Sequence, residues 1–360
     1  MTIQRYDRQA RERRSEQARE RIRQRRVATA RRRLIRAMFI VFFAALVIFS
    51  VVRWVLPSEE GPIDIGTPSP APSASTANSP APSASAGPAA STAPSAAPSA
   101  APSVSKTPTQ KTDTSFTSED LSITIEKKTY TSGRGETVYF VADVVCKDPG
   151  KYFKSALSGE GGKLSRTYEA TSELAKRYNA AIAINCDNAA YLTDGIIVRS
   201  GVLYRYKPVK GRELLMIYAD GTMKTVQETS LSSQDAVAQE IAAGLQNTFS
   251  FGPHLVSGGK PRGDYSDSMV QTYNPRTAVG MVEVGHYKLI VVDGRTDYNT
   301  GVRLIELEDI CVKEGCTEAY NLDGGQSSTM VFDGKVVNDI AGRDTERGIT
   351  DIIYFPFPEE

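Results

Sequence analysis

The sequence predicts one α+β domain over residues 114–360, with a mixed or antiparallel β-sheet and a few helices, behind a membrane anchor and a linker. Three observations carry this expectation. Strand-like segments outnumber helix-like ones after Thr114 and connect largely through tight turns. Leu34 to Leu56 is apolar almost throughout. Residues 57–113 are rich in Pro, Ala and Ser and hold no aromatic, so they cannot offset the entropy of ordering.

Charge separates the first segments. Residues 1–36 hold 14 Arg against 4 acidic residues, a net +10 that leaves the rest of the chain at −9 within a total of +1. Residues 1–33 read as a basic tail, for which nucleic acid and membrane topology are the two explanations. The next segment decides for topology: Ala37–Val52 is 16 apolar or small residues between Arg36 and Arg53. With the arginines snorkelling, 34–56 reaches the ~20 residues a membrane helix needs. The arginine excess before the span puts the N-terminus in the cytoplasm and the C-terminal domain outside, with a lipid bilayer and no nucleic acid as partner. A cleaved signal peptide fits less well, because the charged region is long and no small-x-small site closely follows. Residues 57–113 repeat APSAS at 71–75 and 81–85 and read as a disordered tether.

In the domain, Leu121–Ile125 alternates as a half-buried strand and Thr137–Cys146 reads as a more buried one. Thr171–Tyr178 predicts a short helix capped by Thr or Ser, and Ala181–Asn185 a buried strand ending in polar residues. Hairpins follow over Ile196–Tyr206 and Glu213–Val226, turning at Ser200-Gly201 and Asp220-Gly221. Ser233–Ala243 is helical, Arg276–Val284 and Tyr287–Val292 are strands, and Leu304–Lys313 is a helix closed by Gly315. Asp351–Phe355 is the last strand.

The stretch Tyr320–Phe332, YNLDGGQSSTMVF, interrupts this pattern. Two strand ends flank Asp323, Gly324, Gly325, Gln326 and the hydroxyls of Ser327, Ser328 and Thr329, with almost nothing able to pack. Adjacent glycines allow backbone amides to converge in an anion-binding nest. Asp323 at its mouth suits a general acid, a nucleophile or a sugar-hydroxyl acceptor, whereas a polar hairpin loop is the plain alternative. Three more polar clusters end strands: Asn185-Cys186-Asp187-Asn188, Asn274-Pro275-Arg276-Thr277, and Asp293-Gly294-Arg295 with Glu306 on the next helix. Taken singly, each has a structural explanation as a turn, a cap or an ion pair. Together they offer carboxylates and two arginines whose planar forks match phosphate. Two dispersed histidines, and no CxxC or HxxxH spacing, give no zinc motif, and no cofactor is expected.

AINCDNAAYLTDGIIVRSGVLYR, SFGPHLVSGGK, NPRTAVG, LIVVDGR and YNLDGGQSSTMVF, in this order, resemble the phosphodiester glycosidase family over roughly Val138 to Tyr354. The resemblance implies hydrolysis of a sugar-1-phosphodiester to free sugar and a phosphomonoester. It places Asp187, Asp293, Glu306 and Asp323 as catalytic carboxylates. Arg276, Arg295, Asn321, Gly324, Gly325, Ser327, Ser328 and Thr329 fall at substrate and phosphate positions, and Arg347 resembles an arginine before the final strand. The chain departs from the family in having Cys186 for a glycine, Asn188 and Ala189 for aromatics, and Gln326 for a third glycine. The implied partner is a phosphate-linked cell-surface glycan, an envelope polymer or exopolysaccharide. A non-catalytic binding module for such polymers is the competing expectation. His254 in FGPHL is either a substrate contact or a histidine satisfied within the protein. The oxidising exterior suits disulfides, Cys311 with Cys316 and Cys146 with Cys186, against buried free thiols.

Overall fold

The computed structural model describes residues 61–63, 109–268 and 271–359. The basic tail and the span proposed at 34–56 lie outside these residues, and no described helix is long and apolar enough to cross a membrane. The strands, in chain order, are β1 (Gln110–Lys111), β2 (Ser115–Thr117), β3 (Leu121–Ser132), β4 (Gly135–Cys146), β5 (Lys154–Leu157), β6 (Ala180–Asn185), β7 (Gly195–Arg199), β8 (Val202–Lys207), β9 (Glu213–Tyr218), β10 (Met223–Gln227), β11 (Leu245–Phe249), β12 (His254–Ser257), β13 (Lys260–Pro261), β14 (Arg276–Glu283), β15 (His286–Val292), β16 (Glu318–Asn321), β17 (Met330–Phe332), β18 (Lys335–Val336) and β19 (Asp351–Pro356). The helices are α1 (Pro149–Tyr152), α2 (Thr171–Arg177), α3 (Gln234–Ala242) and α4 (Leu304–Lys313).

Two sheets dominate, one of nine strands in the order β1-β2-β3-β4-β15-β14-β16-β12-β13 and one of five in the order β18-β17-β6-β19-β5. Strand period explains how they stack. In β4, Phe140, Ala142 and Val144 face the five-stranded sheet, where they meet Ile182, Ile184, Met330, Ile353 and Phe355. Tyr139 and Val141, the alternate residues, face the opposite way onto Leu304, Leu307, Ile310 and Cys311 of α4. On the far side of the five-stranded sheet, Leu174 and Ala175 of α2 cover Ala183, Val331 and Ile352. The result is four layers, helix, sheet, sheet, helix. Beside them, the β7–β8 hairpin, the β10-β9-β11 sheet and α3 enclose a satellite core of Ile196, Leu214, Met216, Val237 and Leu245.

All strand pairs between named strands are antiparallel, which narrows the mixed-or-antiparallel expectation to the second. Ser233 caps α3 as its sequence suggests, its Oγ accepting from the Ala236 amide at 3.1 Å. At α2 the capping expectation fails: Ala170 is the N-cap, with no side-chain bond. The linker reading also needs correction at two places. Ile63 packs on the satellite core and its amide donates to the Leu203 carbonyl at 2.7 Å, so one of the few aliphatics of the Pro/Ala/Ser stretch is used for docking. At the other end, β1 pairs with β2 before Thr114.

The disulfide expectation is overturned as well. Cys146, Cys186, Cys311 and Cys316 are all free and buried. Cys311 and Cys316 sit together at the end of α4 as thiols, the Cys316 amide donating to the Cys311 carbonyl at 3.0 Å. Burial pushes the Cys146 thiol up to about 12, so it behaves as a small apolar side chain.

Leu307 is wholly buried between α4 and the nine-stranded sheet. Leu307→Ala should therefore lower unfolding free energy by ~2–5 kcal/mol, read from urea melts, without a matching change in the slope.

Candidate active site

Antiparallel pairing sets where the polar clusters fall. The N-terminal ends of β12 and β14 and the C-terminal ends of β15 and β16 lie at one end of the nine-stranded sheet, because Arg276 pairs with Val292, Ala278 with Asn321, and His254 with Tyr320. The C-terminal end of β6 joins them from the other sheet. Its Asn185 side chain is the junction: Oδ1 accepts from Thr277 Oγ1 at 2.8 Å and from the Thr329 amide at 3.1 Å, while Nδ2 donates to the Asp323 carbonyl at 2.6 Å. Asn185 thereby ties its own cluster to the Arg276-Thr277 cluster and the DGGQSST loop, and the Arg276–Val292 pair brings the start of the Asp293 cluster to the same sheet end.

The DGGQSST loop is a 3-10 turn over Gly325–Ser327. Gly325 has φ of 67°, in the left-handed region that favours glycine. A Cβ there would stand 3.0 Å from Arg295 Nη2, so the guanidinium lies directly on the glycine. A Cβ on Gly324 would come within 2.8 Å of the Pro275 carbonyl oxygen. The loop's amides are largely committed inside the protein, however. Gly325 N donates to Pro275 O at 2.9 Å, and the amides of Ser327 and Ser328 turn back onto Gly324 and Gly325 at 3.3 and 3.4 Å. The open amide nest expected from the two glycines is not what forms. The hydroxyls are the free groups instead: Ser328 Oγ and Thr329 Oγ1 are buried without a hydrogen-bond partner among the described residues, as is Asn321 Oδ1. A buried polar atom left unpaired costs ~1–3 kcal/mol, so this concentration at one loop needs an explanation beyond folding.

Arg276 is 2% exposed; its Nε donates to Val302 O at 3.1 Å and its Nη2 to Thr272 O at 2.7 Å. Burial, followed by the like charge of Arg295, brings its pKa down to about 10. Arg295, itself at φ of 63°, is exposed, and Asn274 Oδ1 holds its fork at 3.2 and 2.8 Å. Two guanidinium groups held this close are preorganised for an anion.

The four candidate carboxylates divide. Asp293 is 3% exposed, and burial pushes its pKa up to about 7; Asn338 Nδ2 at 3.4 Å and the Asp339 amide at 3.1 Å hold one oxygen. Asn338 also donates to the Ser328 carbonyl at 3.1 Å, tying Asp293 to the loop that carries Asp323. Asp323 is raised too, chiefly by burial, against the lowering effects of Ser327, the Arg347 charge, the Gly324 amide and Asn188, whose Nδ2 lies 3.4 Å from Oδ2. Asp293 follows Val292, the partner of Arg276 across the sheet, and Asp323 leads into the glycines that lie on Pro275 and Arg295.

Asp187 and Glu306 are used otherwise. Arg199 Nη2 donates to Asp187 at 2.6 Å and to Asp351 at 2.8 Å, and the Ser250 amide takes the other Asp187 oxygen at 2.8 Å. Burial works against ionising either acid. Arg199 and the bonds to Asp187 overcome it there, whereas Asp351 is pushed well above the usual range, so Asp351 keeps the proton. Cys186, Asp187 and Asp351 place possible metal-ligand atoms within 4.8 Å of one another, but the Arg199 guanidinium already supplies the cation between the two carboxylates. Glu306 closes the start of α4: one oxygen accepts the Arg303 amide at 2.8 Å, the other Arg303 Nη2 at 3.2 Å and Tyr273 Oη at 3.3 Å. His254 binds Glu213 through Nδ1 at 2.9 Å rather than facing the loop, and Glu213 is drawn down to about 2 by that contact, the His254 amide and Arg262 against the opposing effect of burial.

Sequence reasoning passed over Arg199, Asp351 and Asn338. Asp351 reads only as the start of the last strand, and the partners of all three are distant in sequence.

The Asp187–Arg199–Asp351 group predicts a large stability effect. Arg199→Ala leaves two acids buried without their cation and should cost ~3–5 kcal/mol in denaturant unfolding. Asp293 predicts a pH dependence of the opposite kind. Its folded pKa lies above the unfolded value, so the native state binds the proton more tightly and stability falls as pH rises from about 4 through 7. Asp293→Asn should therefore match the parent below that window and exceed it above, measured as melting temperature against pH.

Comparisons with known proteins place the chain in a family and a fold. The phosphodiester glycosidase family model matches residues 169–355. A curated relative, the SPbeta prophage-derived uncharacterized protein YomE of Bacillus subtilis, is 30% identical over 203 residues, 53% of this chain and 30% of its own length. N-acetylglucosamine-1-phosphodiester alpha-N-acetylglucosaminidase of Bos taurus is 38% identical over 69 residues, 19% of this chain and 13% of its own. The chain thus spans under a third of either relative. The zebrafish catalytic domain of the latter enzyme, auto-inhibited by its pro-peptide, superposes with a TM-score of 0.53 at 20% identity, covering 66% of this chain and 84% of that one, and shares the fold. With more than half of the chain matched, and the matched segment holding Asp187, Arg276, Asp293 and the DGGQSST loop, this protein belongs to the phosphodiester glycosidase family.

Proposed function

We propose that the domain hydrolyses sugar-1-phosphodiesters in phosphate-linked cell-surface glycans, the N-acetylglucosamine-1-phosphate type being the first to try. One observation carries the reading: a buried arginine and its like-charged neighbour share one set of strand-end loops with two carboxyls whose pKa values are both raised. Arg276 and Arg295 hold the phosphate oxygens, and Ser328 and Thr329 supply the buried hydroxyls. The bond that breaks joins the anomeric carbon to the bridging oxygen. A phosphate leaves readily, and the arginines stabilise its charge, so acid assistance matters less than for an ordinary glycoside. Asp323, whose Arg347, Asn188 and Ser327 neighbours favour the ionised form, activates water or attacks the anomeric carbon. Asp293, near neutral pKa, supplies or accepts the accompanying proton. Water's hydroxyl ends on the sugar and the phosphomonoester departs.

Anchoring belongs to the same proposal. The arginine-rich start and the apolar run at 34–56 support a single-pass protein with this domain outside the cell. A binding module for the same polymers draws support from one observation: two of the four acids are occupied by Arg199 and by the α4 cap.

The test is release of reducing sugar from a methyl α-N-acetylglucosaminyl phosphodiester by the full-length chain. Asp323→Ala should lower release by about 10²–10⁴-fold while leaving inorganic phosphate affinity intact. Phosphate binding without release by the parent, on this and on other sugar-1-phosphodiesters, would establish the binding module instead.

A further inference from the structure

The long β3–β4 hairpin reaches beyond the sheet it belongs to. The last β15–β4 pair is Val292 with Tyr139, yet β3–β4 pairing continues to Ser132 with Gly135. Four residues, Gly135–Val138, thus extend past the end of β15 on the side of the active site, roughly 13 Å of strand. The extension is fixed rather than free. The Asp293 amide donates to Val138 O at 3.0 Å, and the Val138 amide donates to Asn299 Oδ1 at 2.9 Å. At the tip, the exposed Arg134 guanidinium lies 4.6 Å from the centre of the Tyr273 ring. Arg303 lies 5.3 Å from the same ring and is 46% exposed.

This stack adjoins the phosphate site. Tyr273 precedes Asn274, the residue that holds Arg295, and Thr272 supplies the carbonyl that holds Arg276. The one carboxylate bonded to Arg134, Arg295 or Arg303 among the described residues is Glu306, which is already engaged by the α4 cap. Cation–π stacking fixes the two guanidinium groups; Arg303 meets Glu306 through Nη2, whereas the in-plane N–H donors of Arg134 face no carboxylate among the described residues. A stack serving stability alone gains nothing from adding two positive charges beside the Arg276–Arg295 pair.

We propose that Arg134 and Arg303, held on Tyr273, form a second anion subsite that takes the neighbouring phosphate of a polymeric substrate, so that the site prefers a poly(sugar phosphate) to an isolated diester. The inference rests on the functional reading above. Arg276 and Arg295 grip the diester that is cleaved, and the hairpin tip grips the next one along the chain.

The experiment uses the full-length chain and two probes, a tetramer of N-acetylglucosamine-1-phosphate units and the methyl diester of one unit. Binding and sugar release are measured for parent, Arg134→Ala, and Lys335→Ala as a control for total charge. Arg134→Ala should weaken tetramer binding by about tenfold and leave the single unit within about twofold. Half-molar salt should erase the parent's preference for the tetramer, because exposed charges are then screened. Length-dependent binding that needs Arg134 but brings no release would keep the subsite and remove the hydrolase reading. Release from the single unit with no preference for the tetramer would keep the hydrolase and overturn the subsite. Equal losses on both probes, an equal effect of Lys335→Ala, or no binding of either probe would also overturn it.

Discussion

Two sheets built from different parts of the chain must present their ends to one another with side-chain accuracy, and a single buried amide fixes that alignment. Asn185 leaves the five-stranded sheet, takes Thr277 of the nine-stranded sheet, and holds both ends of the DGGQSST loop through the Asp323 carbonyl and the Thr329 amide. An amide side chain offers four hydrogen-bonding positions, and here three are filled, one by β14 and two by the ends of the loop. Arg276 follows from this placement, since it precedes Thr277, and so does the position of the Asp323 backbone. Apolar packing brings the sheets together over a broad area but tolerates small slides. The amide does not.

Charge is arranged around this anchor in two ways. Asp187, Arg199 and Asp351 form a group in which each member satisfies another, and their burial makes the set stable only when complete. Arg276, Arg295, Asp293 and Asp323 are arranged oppositely: like charges face each other, and burial raises both acids above the usual carboxylate range. The first arrangement supports the second. Asp187 is followed by Asn188, which reaches Asp323, so the neutralised group positions the unneutralised one.

Much of this was legible from residue patterns. The near-continuous apolar runs in TVYFVADVVC and YKLIVV identify strands buried on both faces, which is what a central position between α4 and a second sheet requires. Among the strands that escape notice are β5 and β11. KSAL is four residues long, and LQNTF buries Asn247 and Thr248 where pattern reading expects apolar residues. In the site, adjacent glycines signal backbone that approaches something closely, and they do so against Arg295 and the Pro275 carbonyl. What two glycines cannot convey is whether the amides they free will find partners in a loop far away in sequence. The same limit applies to Asp187 and Glu306, whose carboxylates look alike in a motif and differ only by what faces them. Cysteine spacing likewise gave no indication that all four thiols are free and buried.

The margins of the two large sheets share a feature with a consequence of its own. Each outermost strand is short: β1 and β13 at the ends of one sheet, β18 and β5 at the ends of the other, have two, two, two and four residues. Each also carries a lysine, Lys111, Lys260, Lys335 and Lys154 respectively, and Pro261 removes an amide from one of them. Unpaired strand edges invite pairing with another chain, and brevity, lysine and proline are the devices that discourage it. An all-antiparallel protein crowded beside its own copies would otherwise risk zipping edge to edge, and these four margins work against that pairing.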